Sequence, residues 1–288
     1  MGWRRERVDL KTREQVRVMR RAGLVVADIH RAIRAAVRPG MTTADLDAVA
    51  RDVIAGAGAT SNFLGYHGFP AAICTSVNDE VIHGIPGARM LQAGDVVSVD
   101  AGAVVEGWHG DAAATFILGV DGALPLGSPD ADTGDDALVR ATEAAMWAGI
   151  AALAQRGRLG DVGRAVETAI DVAASGTGIV LGIVEEYVGH GIGTAMHQPP
   201  DVLNYATSSR GIPLRAGMCL AVEPMVTRGS GQTRELADGW TVVTADGVRA
   251  AHWEHSIAIL EDGISVLTAP DAGAERLGAL GVDVVVLD

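Results

Sequence analysis

The chain has little cysteine. Cys74 and Cys219 are its only two, too few for a disulfide framework, and a reducing cytoplasm suits them best. It also lacks an unbroken apolar run of the roughly 20 residues that a spanning helix needs. The arginines at its N-terminus are not followed by an apolar segment of signal-peptide type. Nor is there an excess of positive charge: the formal net charge is -13, which argues against a sequence-independent grip on nucleic acid or on an acidic membrane surface. The small cluster Arg4, Arg5 and Arg7 reads as a solvated end. What the chain does have is 288 residues that are 48% hydrophobic, ample for a large core. A soluble, cytoplasmic protein is expected.

Thr12 and Gln15 have the spacing of a capping box, and Val16, Met19, Gly23, Val26, Ile29 and Ile33 then recur every three or four residues until Pro39-Gly40, which predicts an amphipathic helix. A second helix is predicted from Thr42 or Thr43 to the glycines near Gly56, and two more cover "DDALVRATEAAMWAGIAALAQRG" and "DVGRAVETAIDVAASG". Strand-like stretches include 72–77, 96–100, 113–118, 179–188, 219–222, 240–244 and 256–260. Strands and helices are mixed rather than alternating, which points to α+β. A single domain over 1–288 is expected, with halves of about 8–120 and 137–267, a Gly/Pro/Asp-rich surface loop at 119–136, and a tail at 270–288 whose "VDVVVLD" reads as an extra strand.

Two apolar stretches lead straight into acids: "LQAGDVVSVDAG" into Asp100 and "LRAGMCLAVEP" into Glu223. A carboxylate is costly to bury unless something compensates it. The halves echo each other further: "HGIPGA" at His83 is answered by "HGIGTA" at His190, and each acid-ended strand is followed by a second acid, Asp111 or Glu254, that leads into another apolar strand. Duplicated halves would bring these together about a pseudo-two-fold axis. Taken singly, Asp111 or His190 reads as a turn residue and Glu254 as a strand-edge charge. Taken together, four carboxylates would repel one another and raise their pKa values unless cations neutralised them. Two divalent ions would balance the charge, and an oxygen-rich set with one imidazole suits Mn, Fe(II), Co or Zn.

The phrases "NDEVIHGIP", "GDVVSVDAG", "GWHGDAA", "GHGIG", "MHQPP", "GMCLAVEPM" and "HWEHS" together closely resemble type I methionine aminopeptidases, over roughly Val8 to Leu267. The resemblance implies the pita-bread fold, two divalent metal ions, and removal of the initiator methionine from nascent chains, with a small second residue preferred. Asp100 would chelate one ion, His190 and Glu223 the other, and Asp111 and Glu254 would bridge both. Glu223 would also shuttle a proton, while His83 and His197 would contact substrate and stabilise the oxyanion. The methionine pocket would comprise Phe63, Tyr66, Phe69, Cys74, Met196 and Trp240, an apolar aromatic slot suited to a thioether. The implied partners are the N-termini of nascent polypeptides, with transient ribosome association a further expectation. No specific nucleic acid, no membrane and a monomer are expected.

Several residues depart from the pattern or fall outside it. His252 stands where many relatives carry glutamine, and Gln198-Pro199 where an acidic pair is common; both are expected to affect the rim and the outgoing chain rather than the metal site. His109 and His255 read as support for neighbouring ligands, His30 as a surface or boundary residue, and His67 is assigned no chemistry. Rival readings are an Xaa-Pro peptidase of the same fold, such as prolidase or aminopeptidase P, and a pita-bread protein that binds partners without catalysis. The former usually carries an extra N-terminal domain, whereas only 99 residues precede Asp100 here. The latter would have no need of all five ligands.

Overall fold

A computed structural model describes residues 8–287; the arginines at 4, 5 and 7 lie outside them. Helix α1 spans Arg13–Ala36, and its start is fixed reciprocally: Gln15 N donates to Thr12 Oγ1 at 3.3 Å while Thr12 N donates to Gln15 Oε1 at 2.8 Å. Helix α2, Thr43–Gly56, repeats the device with Thr42 and Asp45. These helices cover a first sheet built on β1 (Ile73–Val77), β2 (Val96–Val105) and β3 (Trp108–Gly119), with β2 antiparallel to both others. Helices α3 (Thr133–Ala154) and α4 (Gly160–Thr177) cover the second sheet. Its strands are β4 (Gly189–Gly191), β5 (Gln198–Val202), β6 (Cys219–Val222), β7 (His255–Leu260) and β8 (Gly263–Val266), in the order β8-β7-β6-β4-β5.

Each half has its own core. Val97, Val99, Ala101 and Ala103 of β2 and Ala112, Phe116 and Leu118 of β3 pack on Val26, Ile29 and Ile33 of α1. On the other side Leu220, Val222, Ile257 and Ile259 pack on Leu138, Met146, Ile150, Val162 and Val166 of α3 and α4. Strand side chains alternate with period two, so the remaining residues of these strands face inward, toward the opposite half. Those are Ser98, Asp100 and Gly102 on β2, Asp111, Ala113 and Thr115 on β3, and Ser256 and Ala258 on β7. Glu223 and Glu254 continue the inward rows of β6 and β7.

The inner faces are stitched together. Glu254 N donates to Ala113 O at 2.9 Å and Ala113 N to Glu254 O at 3.3 Å. Asp111 N donates to Ser256 Oγ at 3.1 Å, whose hydroxyl donates to Asp111 O at 2.8 Å.

Several expectations need correction. Asp100 does not end a strand: β2 runs on to Val105, paired with β3 throughout. Segment 179–188 keeps only Gly182–Ile183 as strand. The stretch 119–136 is not all loop, since Gly122–Ala123 pairs back on β3 and α3 begins at Thr133. Two of its acids are tied down: Asp132 caps α3 and, with Asp135, binds Arg228 Nη1 at 2.9 and 2.8 Å. The tail forms a short helix, Ala274–Gly278, and a single bridge between Val284 and Ile264 instead of a strand. Among the described residues α3 alone is long and apolar enough to cross a membrane by length and composition, and more than half of it is buried in the second core.

Candidate metal centre

Between the halves lies a cavity of about 130 Å³. The strand register supplies its acids. Asp100 faces Ala113 and Asp111 faces Gly102, so the two carboxylates are diagonal neighbours on one face of the β2-β3 pair. Gly102 leaves room beside them for Asn62, whose Nδ2 would lie 2.3 Å from any added Cβ. From the other half, Asn204 Nδ2 donates to Glu223 O at 3.1 Å and holds that residue at the end of β6. Glu254 is held by its backbone bonds to Ala113.

One ligand atom from each of Asp111, His190 and Glu254 lies within 4.8 Å of the others, and the same holds for Glu223, His252 and Glu254. Asp100 lines the same cavity. His190 Nδ1 meets Gly191 O at 3.0 Å, which assigns the proton to Nδ1 and leaves the Nε2 lone pair facing the cluster, 3.3 Å from Glu223 Oε1.

The electrostatics are those of a site short of positive charge. Burial pushes Asp100 up to about 7, an effect opposed by His252 and reinforced by Glu223, and burial alone pushes Glu223 up to about 8. Burial and neighbouring carboxylates drive Asp111 and Glu254 well above the usual range. Burial depresses His190 to about 3, so the imidazole is neutral and available as a ligand. Asp100 Oδ1, Asp111 Oδ1, Glu254 Oε1 and His252 Nε2 are buried without a hydrogen-bond partner. Such orphaned acceptors converging on one space are what a bound cation would satisfy, and the donor set fits divalent ions.

The apolar end of the cavity is lined by Phe63, Tyr66, Phe69, Cys74, Met196 and Trp240. Phe69 meets the Trp240 ring edge-on at 5.1 Å and Phe63 at 6.5 Å. Two further histidines flank the cluster. Tyr66 Oη lies 2.9 Å from His197 Nδ1, and His197 packs on His190 with ring centroids 4.4 Å apart. His83 has φ 59°, strained for a non-glycine residue, and Gly84 beside it has Thr75 O 2.2 Å from the site of a Cβ. Burial lowers both, His83 to about 4, so they are neutral near pH 7.

All the candidate residues thus line one cavity, together with two that were not expected there, Ile82 and His252. His252 is no rim residue: it is 2% exposed, with Nε2 3.5 Å from Glu223 Oε2. The reason is its strand, Ala250–His252, which pairs with Met225–Thr227, two residues beyond Glu223. Its identity as a histidine two residues before a candidate ligand was the available signal. Conversely His109 and His255 do not line the cavity; His255 Nδ1 instead meets Thr268 Oγ1 at 2.8 Å. Partly buried His30 has Nε2 2.9 Å from Ala112 O, on the helix side of β3.

An inward-facing carboxylate and imidazole cluster between two sheet-and-helix halves defines a metallohydrolase of pita-bread architecture. The sequence model of metallopeptidase family M24 matches residues 17–261. Over 251 residues the chain is 50% identical to methionine aminopeptidase 1 of Mycobacterium tuberculosis, covering 87% of this chain and 91% of that one. The crystal structure of a methionine aminopeptidase from Thermotoga maritima superposes with a TM-score of 0.83 at 37% identity, over 91% of this chain and 99% of that one. The chain belongs to metallopeptidase family M24 and, within it, to the methionine aminopeptidases. A prolidase from Pyrococcus furiosus, at 16% identity and a TM-score of 0.66 over 90% of this chain and 65% of that one, shares the fold alone.

Proposed function

We propose that this metallo-exopeptidase removes the initiator methionine from nascent proteins in the cytoplasm, acting on chains whose second residue is small. The observation that carries this reading is the continuity of one cavity from a sulfur- and aromatic-lined slot to the carboxylate cluster. A methionine side chain fits the slot, because thioether sulfur packs well on aromatic rings. With that side chain seated, the first peptide carbonyl falls beside the acids.

In this reading Asp100, His190 and Glu223 would hold two divalent ions, Co, Mn, Fe(II) or Zn, with Asp111 and Glu254 serving both. Such ions would supply Lewis acidity and a water acidic enough to act as a nucleophile near neutral pH. Glu223 passes the proton toward the departing amine. With Tyr66 Oη as donor to His197 Nδ1, His197 Nε2 would carry a proton for the developing oxyanion, and His83, which lines the same cavity, would assist. Transient contact with the ribosome would present new N-termini to the cavity.

The test offers the metal-loaded protein Met-Gly-, Met-Lys- and Xaa-Pro-headed peptides, with and without chelator. Methionine should be released preferentially from the first and not after chelation. Cleavage of the Xaa-Pro peptides alone would sink the reading in favour of a prolidase-like activity.

A further inference from the structure

We propose that His252 is a metal ligand through Nε2, sharing an ion with Glu223 and Glu254 and giving the centre a second imidazole. The proposal rests on the metal-centre reading above and adds to it a residue that reading does not use.

The geometry carries it. His252 Nε2 is buried, has no hydrogen-bond partner, and lies 3.5 Å from Glu223 Oε2. That is too long for a hydrogen bond between an imidazole and a carboxylate, which would draw the atoms to about 2.7–2.9 Å. It is close to the separation of about 3.4 Å expected for two ligands each about 2.1 Å from one tetrahedral ion. His190 Nε2 stands in the same relation to the other oxygen of Glu223, at 3.3 Å. Glu223 is therefore flanked by two imidazole nitrogens, one per oxygen, each at the spacing of a shared cation. Glu254 completes the second group, its ligand atom within 4.8 Å of both His252 and Glu223.

The ring is also well placed to serve. His252 N donates to Thr115 Oγ1 at 3.0 Å, and the Thr115 hydroxyl donates to His252 O at 2.7 Å. These bonds fix the backbone of His252 to β3, four residues along from Asp111. A glutamine there could offer a hydrogen bond to Glu223, whereas an imidazole is a strong ligand for borderline ions. A second imidazole should shift the centre's preference from manganese toward cobalt, iron or zinc.

The test loads the full-length protein with Co(II) and counts solvent-exchangeable, hyperfine-shifted imidazole N–H signals by proton NMR in H2O and D2O. Two signals in the native protein, of which one vanishes in His252→Gln, are expected. The cobalt dissociation constant of the variant should rise at least about tenfold, as loss of a ligand exceeds loss of an outer partner. A single signal in the native protein overturns the proposal whether or not the variant folds, as do two signals that both persist in His252→Gln or an unchanged cobalt affinity. Methionine release from a Met-Gly peptide, followed on the same samples, separates the two readings. A native protein that releases methionine but shows one signal refutes the His252 ligand and leaves the peptidase assignment standing.

Discussion

Each acid in the cavity is individually unfavourable and becomes useful only in company. Asp100 illustrates this: burial raises it to about 7, and its Oδ1 has no hydrogen-bond partner among the protein's groups. Replacing it with an amide removes a buried acid whose ionisation is disfavoured in the metal-free protein. Removing a buried charge that has no compensating partner is neutral or stabilising for the fold. For the proposed chemistry the same change deletes a ligand. Loss of an outer partner to a metal ligand commonly costs 10–100-fold in affinity or activity, so Asp100→Asn should lower kcat/KM by more than about 100-fold while its apo melting temperature stays level or rises. Parallel turnover assays and thermal melts monitored by circular dichroism check this. Activity within tenfold of the native protein would remove Asp100 from the ligand set.

At the scale of elements, the alternation of β2 explains how an acid can sit inside a valine-rich strand. Val97 and Val99 face α1 while Ser98 and Asp100 face the other half. The helices were readable because capping boxes and apolar spacing are local signals, as Thr12 and Thr42 show. The acids themselves were readable because they interrupt apolar runs. Strand extent was not: the chain beyond Asp100 is held in the sheet by β3, a pairing set by register rather than by propensity. The placement of His252 likewise depends on its partner Met225, distant in sequence.

One glycine inside α1 shows a similar limit. Gly23 reads as part of the apolar stripe, but its role is close approach: a Cβ there would lie 2.2 Å from Leu267 O, while Gly110 of β3 presses on Gly23 N at 2.6 Å from its own Cβ site. Backbone cannot yield as a flexible side chain can, and overpacking of this kind costs about 1–3 kcal/mol. Gly23→Ala should therefore lower unfolding stability by at least that amount in denaturant titrations. A loss below about 0.5 kcal/mol, the scale of an ordinary surface change, would show that α1 can move away from the turn at Leu267.

For the whole molecule, the centre sits on the seam between two separately cored halves. Helix α1 straddles them, with Val26, Ile29 and Ile33 in the first core and Val16 and Met19 packed on Ile192, Cys219 and Ala258 of the second sheet. The seam is further held by the Ala113-Glu254, Asp111-Ser256 and Thr115-His252 bonds, each pair including a proposed ligand, and by the pairing of Glu80–Ile82 with Val242–Thr244. Cations there would bind acids from both halves and offset the repulsion across the seam, so metal should stabilise the junction more than either core. An ion present at 100 times its dissociation constant adds about 2.7 kcal/mol to the native state by mass action, and chelation should remove a stabilisation of that size. The loss should also be local. In hydrogen exchange read residue by residue, the amides of Asp111, Ala113 and Glu254 should lose protection on chelation, while those of α3 and α4, within the second core, keep theirs. Uniform deprotection of both helices together with the seam would instead mean that the halves have no independent stability and that metal binding is coupled to folding of the entire chain.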